Sequence, residues 1–337
     1  MCKSGSITIE QAPSVRSERL LKADDDDDLT RRLSYGRNNK TGGPIEWQKD
    51  ILPALQGIGA GMVLSCITVV FSLHFPFIIQ PTEAPVVYLQ ASYRYDPAVS
   101  FFDNSVWTYG TDYILAVVMS ILAYRCAYAG SDRVVLQRKA AGLFTCYAIS
   151  VTAGGIAHQF YTTIEERNSL SFRLLWTLCV GTVTAAGGFM GACGAEISGA
   201  FLGVFRTSGW VWAGFAALTT AFCAGGMMSF QRPAADIFVA GITQFPSTLV
   251  IVEAAMAKCW KNNLSVIYTG MCAVGFSMNA PLLPLYAFLL YHTSWSLPAV
   301  NTLLHCWLCI TWSMQAISLA YFIGVRTTGK AKATKSA

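Results

Sequence analysis

Apolar residues dominate eight stretches of the chain, 52–79, 110–130, 139–163, 172–195, 209–230, 235–257, 264–291 and 297–324, and polar residues gather between them. A helix needs about 20 apolar residues to cross roughly 30 Å of hydrocarbon, so each stretch predicts one transmembrane helix. The expected fold class is all-α: a polytopic bundle of about eight spans over residues 51–325. A polar tail, 1–50, precedes it and a short basic tail, 326–337, follows. The first tail is expected to be disordered, because it holds too few apolar residues to offset the entropy of ordering. Its run Asp24–Asp28 reads as solvated charge. Arg31-Arg32-Leu33-Ser34 resembles a basophilic kinase site, where phosphate on Ser34 would add roughly −2 charge beside the membrane.

Composition points the same way and adds an orientation. Of 337 residues, 53% are hydrophobic and only 13% charged, against about 25% charged in soluble domains. Lys and Arg mark the cytosolic side of a membrane protein. With the N-terminus inside, residues 1–50 hold nine basic residues, and the inner loops and C-terminal tail hold eleven more: Arg125, Arg133, Arg138, Lys139, Arg206, Lys258, Lys261, Arg326, Lys330, Lys332 and Lys335. Only Arg94, Arg167, Arg173 and Arg232 fall outside. An even number of spans then returns the C-terminus to the cytosol. Sequons at Asn39 and Asn263 lie on that inner side, where they go unused. The net charge of +5 therefore reads as topology and attraction to anionic lipid, not as a nucleic-acid surface. The expected partners are the bilayer and a lipid or small-molecule substrate. No cleavable signal peptide is expected, since the first 50 residues are polar. The eleven cysteines are scattered and suggest no disulfide framework; Cys306 and Cys309, within a span, read mostly as small apolar residues.

Small residues and helix breakers shape the bundle. Gly187-Gly188, Gly191, Gly194 and Gly199 line the fourth span and Gly225-Gly226 the fifth, where they let helix backbones approach closely. Asn279-Ala280-Pro281 and Pro284 predict a kink in the seventh span, and Pro246 after Thr243-Gln244 one in the sixth. Carbonyls freed at a kink either line a cavity or bond to a neighbouring side chain such as Ser277. On the first alternative Thr243, Gln244 and Asn279 form a candidate transport site.

Ionisable groups inside a bilayer are costly and suggest a site. Here they lie toward the outer leaflet: Asp112 near the start of the second span, His158 near the end of the third, Asp236 opening the sixth, and Asn301 and His305 in the eighth. At 1.5 Å per residue their depths run from roughly 2 to 12 Å, so Asp112, His158, Asn301 and His305 can share one layer if their helices face each other. Two histidines with a carboxylate are a donor set for Zn²⁺ with an open position for water. In that reading His158 and His305 are metal ligands, Asp112 is a ligand or general base, and Asn301 polarises the substrate or donates a hydrogen bond to a ligand from behind. The plainer reading makes Asp112, after Thr111, a helix N-cap facing the positive dipole, with Asp236 in the same role and each histidine reaching the headgroups. Glu253 is placed to pair with Lys258 one turn away, and Glu196 to sit at the inner boundary.

Thr111-Asp112-Tyr113 with Leu115-Ala116, Arg125, Ala153-Gly154-Gly155-Ile156-Ala157-His158 and Leu175-Trp176 resembles a family of uncharacterised bacterial multi-pass membrane proteins, over roughly residues 105–190. That likeness implies organisation and no activity. An Asp, a mid-bundle His and a His in the last helix are more distantly similar to the alkaline ceramidase and progestin/adipoQ receptor superfamily of seven-helix proteins, several of them zinc-dependent lipid amidases. The Ser-x-x-x-His of that superfamily stands here as Gly154-x-x-x-His158, and its His-x-x-x-His as Asn301-x-x-x-His305. Three function classes stay open: a metal-dependent hydrolase of a lipid-like substrate, a transporter or channel, and a structural or receptor-like protein acting through its cytosolic tail.

Overall fold

The computed structural model describes residues 47–79, 103–128, 131, 133–198, 207–230, 240–262, 264–279, 282, 285, 289 and 293–324. Ser34, Asp236, Gly199, Pro281 and Pro284 lie outside the described residues, as do both tails beyond these limits. The chain divides at Pro53/Ala54, and the bundle is the unit from Ala54 onward.

After one π-type turn, Trp47–Ile51, come the helices α1 (Leu52–Ile79), α2 (Val106–Tyr128), α3 (Val134–Phe160), the single turn α4 (Ile164–Arg167), α5 (Leu170–Ser198), α6 (Gly209–Phe230), α7 (Phe245–Asn262), α8 (Val266–Ser277) and α9 (Leu297–Gly324). No strand occurs among the described residues. Six helices are long and apolar enough to cross a membrane: Leu52–Phe71, Val106–Tyr128, Val134–Phe160, Leu170–Ser198, Ala240–Lys261 and Leu297–Gly324. Gly209–Cys223 and Val266–Ser277 are apolar but shorter. The chain is thus a multi-pass helical membrane protein; six of the eight expected spans have full length among the described residues.

Two of the expected breaks have visible causes. Before Phe245 the helix opens at Thr243-Gln244, because Pro246 brings no N–H to the carbonyl one turn earlier. The seventh stretch ends its regular helix at Ser277, ahead of Asn279-Ala280-Pro281, consistent with the bias of residues before proline away from helix. Between α3 and α5, Thr163 and Glu166 form a reciprocal capping box that starts α4.

Packing closes α2, α3, α5, α7, α8 and α9 into a ring, each helix against the next and α9 back against α2, with α6 on the flank of α5. The core between them is apolar and aromatic, with Phe144, Tyr147, Met190, Phe276 and Phe322 fully enclosed and the Tyr147 ring stacked 4.0 Å from that of Trp312. Glycine sets the close crossings on α5: Gly188 and Gly191 meet Trp212 and Ala216 of α6, while Gly194 meets Val250 and Ile251 of α7. On α1, Gly57 and Gly61 face Trp210, Val211 and Phe215 in the same way. Where soluble bundles would carry charge, the outward faces carry Ile114, Val117 and Ile121 on α2, Leu174 and Leu178 on α5, and Ile310 and Ile317 on α9. A surface of that kind fits hydrocarbon as solvent.

The two ends of the bundle differ. At one end Arg133 donates to Phe322 O at 2.8 Å and Glu196 O at 3.0 Å, Ser131 donates to Ile323 O, and Lys139 Nζ pairs with Glu196 Oε1 at 2.5 Å. These bonds tie together the helix ends expected to face the cytosol. The titratable groups of the opposite end make the candidate site.

Candidate functional site

α2 starts at Val106, four residues earlier than the apolar pattern predicts, and the residues before it form a lock. Asp103 Oδ1 accepts from the Ser105 N–H at 2.9 Å; Oδ2 accepts from the Ser105 hydroxyl, the Thr108 hydroxyl and, across the bundle, Asn301 Nδ2 of α9 at 3.3 Å. Burial disfavours charge on this carboxyl, yet the hydrogen bonds from Thr108, Ser105 and Asn301 outweigh it and hold the Asp103 carboxyl below the ordinary carboxylate value. Its backbone carbonyl stands 2.6 Å from His158 Nδ1. A carbonyl can only accept, so Nδ1 carries the proton. Asn104 completes the lock: Nδ2 donates to His158 O at 2.5 Å and Tyr161 O at 3.1 Å, and Oδ1 accepts from Arg167 at 2.6 Å. Arg167, itself buried, also donates to Tyr161 O and Thr162 O.

The early start of α2 changes the role of Asp112. It is not an N-cap, because the helix begins six residues before it. It lies in the second turn, 4% exposed, against the Gly154-Gly155 face of α3. A Cβ on Gly154 would stand 3.6 Å from Asp112 Oδ2, an ordinary contact, and one on Gly155 3.1 Å from Asp112 Cβ; glycine at 155 is what lets the carboxylate seat there. Asp112 Oδ1 is 3.4 Å from His305 Nε2 of α9, and Oδ2 has no hydrogen-bond partner among the described residues. On the other side of the same ring, His305 Nδ1 is 2.8 Å from Thr111 Oγ1.

The structure therefore brings Asp112 and His305 into contact and ties His158 and Asn301 to Asp103, making two neighbouring groups at one end of the bundle. Among the described residues no three His, Cys, Asp or Glu side chains converge closely enough to hold a metal ion. An open apolar groove between α2, α3 and α5, lined by Tyr124, Thr145, Ile149, Thr152 and Leu178, includes none of Asp112, His158 or His305.

The candidate transport residues part company. Gln244 Nε2 donates to Val183 O of α5 and the Thr243 hydroxyl to Ala240 O, whereas Asn279 Oδ1 accepts from Thr311 of α9 at 2.9 Å. Each of these three side chains thus has a hydrogen-bond partner of its own. Glu253, expected to pair with Lys258, leaves Oε2 without a hydrogen-bond partner among the described residues. Comparison with protein-family models, curated proteins and solved structures finds no match to the chain.

Three participants, Asp103, Asn104 and Thr111, escaped the sequence reading as site residues. Asp-Asn-Ser just before an apolar run is an N-terminal helix signal, and it was the available clue.

Proposed function

We propose that this multi-pass membrane protein hydrolyses a lipid-like substrate at the outer or lumenal leaflet, with Asp112 and His305 as its acid–base pair. The observation that carries the reading is the Asp112–His305 contact, a buried carboxylate with one oxygen on an imidazole and the other unpartnered. A carboxylate withdrawn from water without full hydrogen bonding costs several kcal/mol, and intramembrane ionisable groups of this kind mark function by default. Asp112 orients the ring of His305, which then moves protons to and from the scissile group. Asn301, one turn from His305, supplies an amide near the same place. The zinc form of the proposal makes His158 and His305 ligands beside Asp112, in line with the likeness to the alkaline ceramidase superfamily. Metal analysis of the purified protein, with a His158→Ala control, tests that form separately.

The deciding experiment is hydrolysis of a panel of lipid esters and amides by purified protein. Asp112→Asn and His305→Ala are expected to lower the rate about 10²- to 10⁴-fold, the usual weight of a positioned acid–base group, while the variants elute as the parent does. Equal rates in parent and variants would refute the pair.

The topology belongs to the same proposal: eight crossings, with the two shorter apolar helices counted and both termini cytosolic. Sequons moved into the 80–100 loop should acquire glycans and those at Asn39 and Asn263 should not. A transporter reading rests on the helix breaks at Thr243-Gln244 and after Ser277. Liposome flux that Asn279→Leu abolishes and His158→Ala spares would favour it. A receptor-like role predicts instead that removing residues 1–45 abolishes function.

A further inference from the structure

The His305 ring has a side-chain neighbour at each nitrogen and the Thr108 backbone beside it, and the hydrolase reading uses only Asp112. Asp112 Oδ1 stands 3.4 Å from Nε2 and Thr111 Oγ1 2.8 Å from Nδ1. In the tautomer with the proton on Nε2, the nitrogen 3.4 Å from Asp112, the lone pair of Nδ1 faces the Thr111 hydroxyl. Carboxylate, imidazole and hydroxyl then follow one another, with the hydroxyl proton free to pass to Nδ1 while Asp112 holds the ring and stays ionised. The logic is that of a nucleophile, a base and an orienting acid. From this geometry we propose that Thr111 Oγ1 is the nucleophile of an acyl-transfer reaction on a lipid ester or amide; the proposal rests on the hydrolase reading.

Bland explanations cover only part of the contact. Threonines in membrane helices commonly donate back to their own helix, and Thr111 does so to Trp107 O at 2.7 Å and Thr108 O at 2.9 Å. Thr152 and Thr182 make the same back-bond, and neither has a histidine on its oxygen among the bonds observed. A hydroxyl has one proton. Turned from the backbone carbonyls to Nδ1, it leaves Oγ1 as the attacking atom.

Position supplies access. Trp107 and Ile114, four residues before and three after Thr111 on one face of α2, are 67% and 60% exposed, so that face borders lipid. Thr111 itself is half-buried, as is His305. It lies five residues into α2, about 7.5 Å below the first residue, near the hydrocarbon–headgroup boundary, where glycerolipid and sphingolipid carbonyls sit.

The step balances without a redox partner. Thr111 Oγ1 bonds to the substrate carbonyl carbon as its proton passes to His305 Nδ1. The carbonyl–heteroatom bond then breaks, and the departing alcohol or amine takes that proton. Water next attacks the acyl-threonine and gives one proton to Nδ1, and the ester bond to Thr111 breaks. The proton returns to Oγ1 as the fatty acid leaves.

An alkyl fluorophosphonate bearing a long chain, applied to the full-length protein in detergent, tests the assignment by intact mass and peptide mapping. The expected result is one adduct on Thr111, absent in Thr111→Val, retained in Thr111→Ser and slowed more than tenfold in Asp112→Asn and His305→Gln. Thr182→Val, a control for loss of a back-bonded threonine, should label as the parent does. If lipid hydrolysis proceeds undiminished in Thr111→Val, or the adduct maps to another residue, Thr111 is not the nucleophile and the hydrolase reading stands with water in that role. If the parent neither hydrolyses lipid nor labels, both fall together.

Discussion

Adjacent glycines on α3 give a sharp test of how the site is seated, because the same substitution should act oppositely at each. In a helix interior Ala is favoured over Gly by roughly 1 kcal/mol. At Gly154 the new methyl would find Asp112 Oδ2 at 3.6 Å and Cys179 Sγ at 3.7 Å, ordinary contact distances. Gly154→Ala is therefore expected to stabilise by about 1 kcal/mol, the propensity term alone. At Gly155 the methyl would meet the Tyr113 ring at 2.9 Å and Asp112 Cβ at 3.1 Å. Asp112 Cβ lies next to the backbone and cannot swing aside, so α2 and α3 must separate by a few tenths of an ångström. Overpacking of that order costs about 1 to 3 kcal/mol, which cancels or exceeds the propensity gain. The separation also draws Asp112 from His305, whose 3.4 Å contact has little to spare. Thermal unfolding of both variants in one detergent should place Gly154→Ala above the parent by about 2 to 4 °C, on the scale for domains of 150–250 residues, and Gly155→Ala at or below it. Gly110→Ala, where a Cβ would meet nothing within 4 Å, calibrates the propensity term. A Gly155→Ala protein as stable as Gly154→Ala would refute the seating of Asp112 against this face.

Two further outcomes follow from the ends of the bundle. Asp103 has a folded carboxyl held below the unfolded value of about 3.9, so its stabilisation is present above that value and is lost as pH falls through the lower folded one. Asp103→Asn should lower the melting temperature at pH 7 and narrow the gap between pH 7 and pH 3; an unchanged gap would show that this carboxylate does not bind the α2 start to α9. Arg133→Ala removes the donor to both Phe322 O and Glu196 O and should cost about 1 to 3 kcal/mol by leaving acceptors unsatisfied, readable as a fall in melting temperature with unchanged hydrolysis.

Much of the fold was legible because hydrocarbon imposes a length and a polarity on every crossing, and both are visible in the order of residues. Boundaries were less so. Val106, Trp107, Thr108 and Tyr109 lie before the expected second span, yet they form the first turn of α2 once Asp103 and Ser105 satisfy its N-terminus. That shift removes the N-cap alternative for Asp112, which lies buried in the second turn. Asp112, His158, Asn301 and His305 were recognisable as costly in lipid, but which of them meet depends on the rotation of α2, α3 and α9. Helices this uniformly apolar carry no amphipathic stripe from which rotation can be read. Thr111 was invisible as a reactive group for a simpler reason: back-bonded threonines are common in membrane helices, and only the ring of His305 distinguishes this one.

The contrast between the two ends of the bundle bears on where chemistry resides. At the Arg133 end the bonded charges hold the helices: Arg133 reaches two carbonyls from different helices, and Lys139 neutralises Glu196. Polar groups so fully satisfied stabilise a structure and resist change, because any displacement leaves an acceptor bare. At the other end Asp103, Asn104 and Arg167 form an equally saturated lock, and Asp112 lies beside it with an oxygen that has no hydrogen-bond partner among the described residues. A lock next to an unsatisfied carboxylate is the arrangement preorganised sites require: fixed surroundings that hold one group where its own bonding is incomplete. Glu253 also leaves an oxygen unpartnered among the described residues, but no histidine contact to it is seen there. What separates Asp112 is the combination of that vacancy with His305 and, across the ring, the hydroxyl of Thr111.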